Sequence, residues 1–178
     1  VGATDSIFGF GDTSFSMFFS PAKASSLTWG IGPALTLPTA SNPEVLGSEK
    51  YSAGPTGVVF YGVGKWTMGA IASNIRSFAG EDDREDVNFF FAQWFVNYNL
   101  GNGWALGSAP IITCNWEADK GNGDQCTIPW GLQVSKLTRL GHRPVNFVIG
   151  YYQNSHHPEG GADSQVRLQA NFMFPQKN

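Results

Sequence analysis

The chain has 178 residues, 14% of them charged and 14% aromatic, with 22 glycines and a formal net charge of −3. Ordinary soluble domains carry about 25% charged residues, and this chain shows no basic stripe that would serve nucleic acid. No apolar run reaches the roughly 18 residues that a membrane helix needs, so only a β-barrel would let such a chain span a bilayer.

In chain order, alternation and turn chemistry predict nine strands and no helix within a single domain, 1–178. The first strand covers about Phe8–Phe19 and ends at the turn Ser20-Pro21-Ala22-Lys23. The second, Leu27–Leu37, sets Leu27, Trp29, Ile31, Leu35 and Leu37 against Thr28, Gly30, Gly32, Ala34 and Thr36. A longer loop, Thr39–Tyr51, leads to the third strand, Ala53–Gly62. Gly62-Val63-Gly64-Lys65 turns the chain into the fourth, Trp66–Ser77, neither face of which is cleanly apolar. The acidic segment Gly80–Asp86 precedes the most regular stretch, a hairpin from Asn88 to Trp116 that turns at Gly101-Asn102-Gly103. In its first arm Phe90, Ala92, Trp94, Val96, Tyr98 and Leu100 form an apolar row, and Phe89, Phe91, Gln93, Phe95, Asn97 and Asn99 a mixed one. The loop Glu117–Asp124, a seventh strand Cys126–Leu137 and the turn Gly141-His142-Arg143-Pro144 follow. An eighth strand, Val145–Gln153, the loop Ser155–Asp163 and a ninth strand, Gln165–Phe174, complete the chain.

Arms of about a dozen residues exceed the five or six usual in soluble sheets. Apolar-out, mixed-in strands of that length with aromatics near their ends suit a transmembrane barrel. The connections agree with this reading. Short turns hold Lys23, Lys65, Lys136, Arg139, Arg143 and the tail residue Lys177 without an acid, whereas nearly every Asp and Glu lies in a long loop. The expectation is an all-β, antiparallel transmembrane β-barrel of about nine strands in the bacterial outer membrane. Because bacterial single-chain barrels have even strand numbers with both ends in the periplasm, nine strands read as the C-terminal part of a roughly twelve-stranded barrel.

Five phrases carry a resemblance across nearly the whole chain. They are Thr28-Trp-Gly-Ile-Gly-Pro-Ala-Leu-Thr-Leu-Pro-Thr39, Ser77-Phe-Ala-Gly80 with its acidic run, Gln93-Trp-Phe-Val-Asn-Tyr-Asn-Leu100, Ser108-Ala-Pro-Ile-Ile-Thr-Cys-Asn-Trp-Glu-Ala118 and Gln165-Val-Arg-Leu-Gln-Ala-Asn-Phe-Met-Phe-Pro175. Together they resemble a bacterial family of outer-membrane β-barrels regarded as transporters and named for the meta-pathway of phenol degradation. The resemblance implies a barrel passing small hydrophobic compounds. It brings no catalytic or binding motif with it, and family members have further strands before the point at which this chain begins.

Alternation points Phe89, Phe91, Gln93, Phe95, Asn97, Thr113, Asn115, Gln133, Arg167, Gln169 and Asn171 into the lumen. This wall of amides, hydroxyls and rings suits weakly polar or aromatic solutes, or a lumen closed by its own side chains. The strand-borne charges Asp12, Arg76 and Arg167 belong in the lumen or at its rims, since a basic residue facing mid-bilayer lipid costs about 2–4 kcal/mol.

The run Glu81, Asp82, Asp83, Glu85 and Asp86 could hold a divalent cation but lacks the spacing of a calcium loop, and a solvated loop is the plainer reading. His156-His157 reads as surface loop rather than a metal pair, because neighbours on a strand point to opposite sides. No Ser/His/Asp set, phosphate loop or Cys-x-x-Cys occurs, so neither an enzyme nor a cofactor is expected. The expected partners are membrane lipid, lipopolysaccharide and a small apolar solute, with a partner chain as a further option and no nucleic acid. The rival readings are a structural barrel serving as anchor or subunit of a surface assembly, and a soluble β-sandwich binding sugar or lipid.

Two further expectations follow from register. A loop centred near Lys120 makes residues summing to 240 face each other, which pairs Cys114 with Cys126 as a disulfide and Ile112 with Ile128. Trp29, Trp94, Trp104, Trp116 and Trp130 should mostly face lipid, those near strand ends at headgroup depth.

Overall fold

The computed structural model describes residues 8–23, 25–118, 123–141, 143–158 and 160–174, with backbone only at 123 and 124. Its strands are β1 (Thr13–Ser16), β2 (Leu27–Leu37), β3 (Lys50–Val63), β4 (Trp66–Gly80), β5 (Asn88–Gly101), β6 (Trp104–Ser108), β7 (Ile111–Asn115), β8 (Gly123–Leu140), β9 (Arg143–Pro158) and β10 (Ser164–Phe172). All pairings are antiparallel within one sheet of order β1-β2-β3-β4-β5-β6-β8-β9-β10, and β7 also lies between β5 and β8. Among the described residues β1 and β10 do not pair, so both are edges. Five strands run to 14–18 residues. At about 3.3 Å per residue that length is ample to cross a hydrocarbon layer.

The predicted second strand coincides with β2, and the third, fourth and fifth gain one to four residues as β3, β4 and β5. Three expectations need correction. The first strand, expected over Phe8–Phe19, keeps a regular ladder only at Thr13–Ser16. Beyond it Met17 donates to the Pro33 carbonyl (3.0 Å) and Phe19 pairs with Ile31, all in the same register. Pro33 has no N–H to return the bond, so one rung is missing. The expected absence of helix gives way to a single turn, α1 (Pro43–Leu46), inside the long loop. Proline at its first position presets the helical φ there. Finally, the predicted sixth strand, Trp104–Trp116, is interrupted at Ala109-Pro110, where β6 ends and β7 begins.

At the last strands the differences are smaller. The turn expected over Gly141–Pro144 tightens around Gly141, with Leu140 opposite Arg143 and Pro144 already inside β9. The strand β9 continues to Pro158, past the start expected for the following loop. The expected signals at Asp119, Lys120, Glu159 and Lys177 lie outside the described residues.

Register divides the sheet into two faces. Thr36↔Ser52, Thr56↔Ser73, Phe91↔Thr113, Gln133↔Gly150 and Arg167↔Gly150 tie one face together from β2 to β10. The opposite face carries all six tryptophans, 29, 66, 94, 104, 116 and 130, each between 41% and 64% exposed. It also carries Leu27, Ile31, Val59, Leu106, Leu132, Ile149, Val166 and Leu168, all exposed. At its margins Lys136 reaches over the Trp104 ring (4.7 Å), and the Trp116 indole N–H donates to Asn74 Oδ1 (2.9 Å). Such cation and amide contacts fit aromatic side chains with one wet end. Arg76 lies on this row beside the long loops, hence at a rim and not in the interior.

The mixed face is concave. Arg167 on β10 bonds to Ala109 between β6 and β7, three strand steps away. In a flat sheet the two would stand roughly 14 Å apart, beyond the reach of an arginine, so the sheet must curl toward this side. Gly54 shows how tightly the wall is drawn, since a Cβ there would lie inside contact distance of the Asn74 carbonyl on β4. Gly54→Ala is therefore expected to abolish assembly of the sheet, read as loss of the β-sheet circular-dichroism signal and of a cooperative unfolding transition.

The long-loop end is tied together by ion pairs. Arg84 pairs with Glu49 (2.9 Å) and donates to the Gly47 and Pro43 carbonyls (2.9 and 3.3 Å), joining the acidic loop to the β2–β3 loop. Lys50 pairs with Asp86 (3.4 Å), whose carboxyl is held below its ordinary value by the Ser77 hydroxyl and then by this ammonium. Asp12, next to β1, accepts from the Ser48 N–H and hydroxyl (both 2.8 Å) and from the Ala40 N–H (3.2 Å). Partial burial raises its pKa, but these bonds outweigh it and the net direction is downward. A lowered carboxylate pKa stabilises the fold above the unfolded value, about 3.9, and that stability is lost as pH falls through the folded value. Asp12→Asn should flatten the acid limb of a stability–pH curve below about pH 4 while preserving its shape at neutral pH.

Candidate functional site

The site is the concave face and the interruption that crosses its middle. Phe89, Phe91, Gln93, Phe95, Asn97, Thr113, Asn115, Gln133, Arg167, Gln169 and Asn171 all fall on this face by register. Gln93, Asn97, Gln133 and Arg167 are drawn into one network. Phe89 and Asn115 stand toward the long loops, whereas Gln169 and Asn171 lie exposed on the edge strand β10 and take no part.

The network exists because of Pro110. Proline has no N–H for a ladder, and Ala109 beside it leaves the sheet pairing with it. The peptide groups of Ala109 are met by side chains instead. Its N–H donates to Tyr152 Oη (3.1 Å), and its carbonyl accepts from Arg167 Nη1 (2.6 Å) and Gln93 Nε2 (3.4 Å). The Tyr152 hydroxyl donates in turn to Gln133 Oε1 (2.9 Å), and Gln133 Nε2 donates to Asn97 Oδ1 (3.3 Å). The Arg167 guanidinium lies 4.7 Å over the Tyr152 ring. Tyr152 has no solvent exposure and Ala109 only 6%. A buried amide left without partners costs about 1–3 kcal/mol, so the three side chains that meet the Ala109 peptide groups make the interruption tolerable.

On either side of this knot the concave face opens into a cavity. The one toward the long loops holds about 600 Å³ and is lined by Ser14, Thr36, Ser52, Ile75, Phe89 and Asn115, with Asp12, Asp83, Glu85 and Asp86 at its mouth. The one toward the short turns holds about 400 Å³ between Thr67, Asn97, Asn99, Gln133, Asn146 and Val148. Gln133 belongs to both the lower cavity and the knot.

The acidic loop does not gather as a cation site. Asp86 and Glu49 take Lys50 and Arg84, and among the described residues no group of three or more His, Cys, Asp or Glu is placed to hold a metal. His157 pairs with Asp163 (3.1 Å).

Cys114 and Cys126 form a disulfide across opposed positions of β7 and β8, as the register predicts. The accompanying Ile112–Ile128 pair does not form. The β6–β8 ladder stops at Gly107↔Gln133 and the β7–β8 ladder resumes only at Thr113↔Thr127.

The sequence reading missed Tyr152 and Ala109. A proline inside an otherwise alternating arm was the signal for the second. For the first it was the alternation of Asn146, Val148, Gly150, Tyr152 and Asn154 along β9.

A family model described as "Putative MetA-pathway of phenol degradation" matches residues 1–132. The chain belongs to this family. The match takes in the MetA-pathway family's share of β1 to β7 and the first part of β8, including Ala109-Pro110 and both cysteines. It stops one residue before Gln133, so Tyr152 and Arg167, which hold Ala109 from β9 and β10, lie beyond the matched segment. No curated protein and no solved structure matches the chain.

Proposed function

We propose that the sheet forms the wall of an outer-membrane β-barrel that admits small apolar or aromatic molecules. The observation that carries this reading is the contrast between the faces. One is an exposed, mainly apolar surface bearing all six tryptophans, and the other is concave and lined with amides, hydroxyls and phenyl rings. Exposed apolar surface on that scale is unfavourable in water and favourable in lipid. Acidic long loops at one end and basic short turns at the other support a fixed orientation across the bilayer. Among the described residues β1 and β10 are unpaired edges, and in lipid such edges need strand partners. A family named for phenol degradation agrees with an aromatic solute.

The test has two stages. Extraction of membranes should release the protein only with detergent, and unheated samples should migrate faster than boiled ones. Vesicles with lipopolysaccharide in the outer leaflet should then take up an aromatic probe faster with the protein than without it. A protein that stays soluble without detergent would return the β-sandwich reading.

The second reading, a structural barrel without flux, is favoured by one observation: the knot around Ala109 occupies the middle of the concave face. Equal uptake by loaded and empty vesicles would establish it.

A further inference from the structure

We propose that the interruption between β6/β7 and β8 is a lateral portal, through which apolar solutes pass between the concave face and the surrounding membrane. The inference rests on the barrel reading and says where such solutes leave.

Both strands keep one register on either side of the gap. Gly107↔Gln133 and Thr113↔Thr127 have the same sum, so nothing has slipped, yet the positions between them carry no ladder pairs. Five residues of each strand, about 16 Å of length, are therefore joined by little more than the Ser108 hydroxyl on the Gly131 carbonyl (2.6 Å). The sequence enforces this from both sides, since Pro110 and Pro129 lie in the unpaired stretch and neither has an N–H to give. Along β5 the same strand keeps its register through Gln93↔Ile111 and Val96↔Ser108, so the parting is one-sided.

The frame around the opening is firm. Below it β6 pairs with β8 over four positions. Above it β7 and β8 have two ladder pairs and the Cys114–Cys126 disulfide. Between these limits Ala109 is held by the hydroxyl, guanidinium and amide of Tyr152, Arg167 and Gln93, which are side-chain bonds that can be exchanged without breaking the sheet. In this arrangement the portal is shut, with Ala109 and Pro110 both buried. The outer rim of the gap is apolar and exposed at Ile128 (36%), Trp130 (64%) and Leu132 (63%). A solute in the upper cavity meets the knot if it continues along the axis, whereas sideways lies hydrocarbon that an apolar molecule prefers.

The register shared by the two ladders sets Ser108 opposite Leu132 at the lower end of the gap, one position past Gly107↔Gln133, so Ser108→Cys with Leu132→Cys would staple it. The variant is oxidised, the bridge between positions 108 and 132 is confirmed by mass mapping beside the native disulfide, and insertion is checked by the heat-dependent gel shift. Uptake of a naphthylamine that fluoresces in lipid is then followed in vesicles with a lipopolysaccharide outer leaflet. Uptake falling to that of empty vesicles on oxidation, while the same double variant kept as free thiols takes up the probe faster than empty vesicles do, supports the portal. Wild-type uptake in the stapled protein overturns the portal and leaves the barrel reading intact; absence of uptake by the wild type itself overturns both. Tyr152→Phe supplies a variant that needs no bridge. Losing the bond to the Ala109 N–H should raise uptake about fivefold, and an unchanged rate in a folded Tyr152→Phe protein would count against the latch.

Discussion

On the proposed barrel reading, Leu168→Arg is expected to lower stability in lipid by about 2–4 kcal/mol, and Gln169→Arg, one residue on, by less than about 1 kcal/mol. The two positions are adjacent on β10 but face opposite ways, Leu168 opposite Ile149 and Gln169 opposite Val148. Leu168 is 73% exposed and has little packing to lose, so an effect of that size can come only from the medium it faces. In water the substitution would replace an exposed apolar side chain by a charged one and stay within about 0.5 kcal/mol. Guanidinium titration of both variants in lipid vesicles, followed by tryptophan emission, distinguishes the outcomes. Equal stability of the pair would remove the assignment of the tryptophan-bearing face to lipid.

The second large effect is expected at the disulfide. Cys114 and Cys126 are 12 residues apart. Closing a loop of that size restricts the unfolded chain by about 3 kcal/mol. Little else fastens this corner, because β7 and β8 share only two ladder pairs, of which the cysteines are one. Cys114→Ser with Cys126→Ser should therefore shift the unfolding midpoint strongly, and a reductant should shift the wild type by the same amount. A double variant as stable as the wild type would show that the β5–β7 ladder alone fixes this strand.

Where the sequence was legible, the reason was a period-two pattern with large residues on one row. Along β5 the alternation of Phe90, Ala92, Trp94, Val96 and Tyr98 with Phe89, Phe91, Gln93, Phe95 and Asn97 separates the faces unambiguously, and the hairpin register then carried the assignment to Thr113 and Asn115. Opposition of the two cysteines followed from the same arithmetic. The first strand was read too long because Phe15, Phe18 and Phe19 continue an apolar run. The rung lost there belongs to Pro33, on the neighbouring strand. The break at Ala109-Pro110 was hidden for the opposite reason. Its stabilising partners come from β5, β9 and β10, up to 58 residues away, and no local pattern announces a backbone carbonyl that will meet an arginine. β4 was ambiguous because Gly69, Ala70, Ala72 and Ser73 offer little contrast between faces, and only pairing with β5 resolves it.

The glycines of the concave face mark where its wall cannot change. At Gly32, Gly54, Gly69, Gly107 and Gly131 a methyl group would collide with neighbouring backbone. From β2 to β8 the face is thus lined partly by peptide groups whose surroundings admit no side chain. Variation in chemistry must come from positions where a side chain already stands outside the knot, such as Thr113 and Gln169. Relatives should therefore diverge at such positions while holding these five glycines nearly constant, and a directed library that spares the glycines should retain a high fraction of folded members.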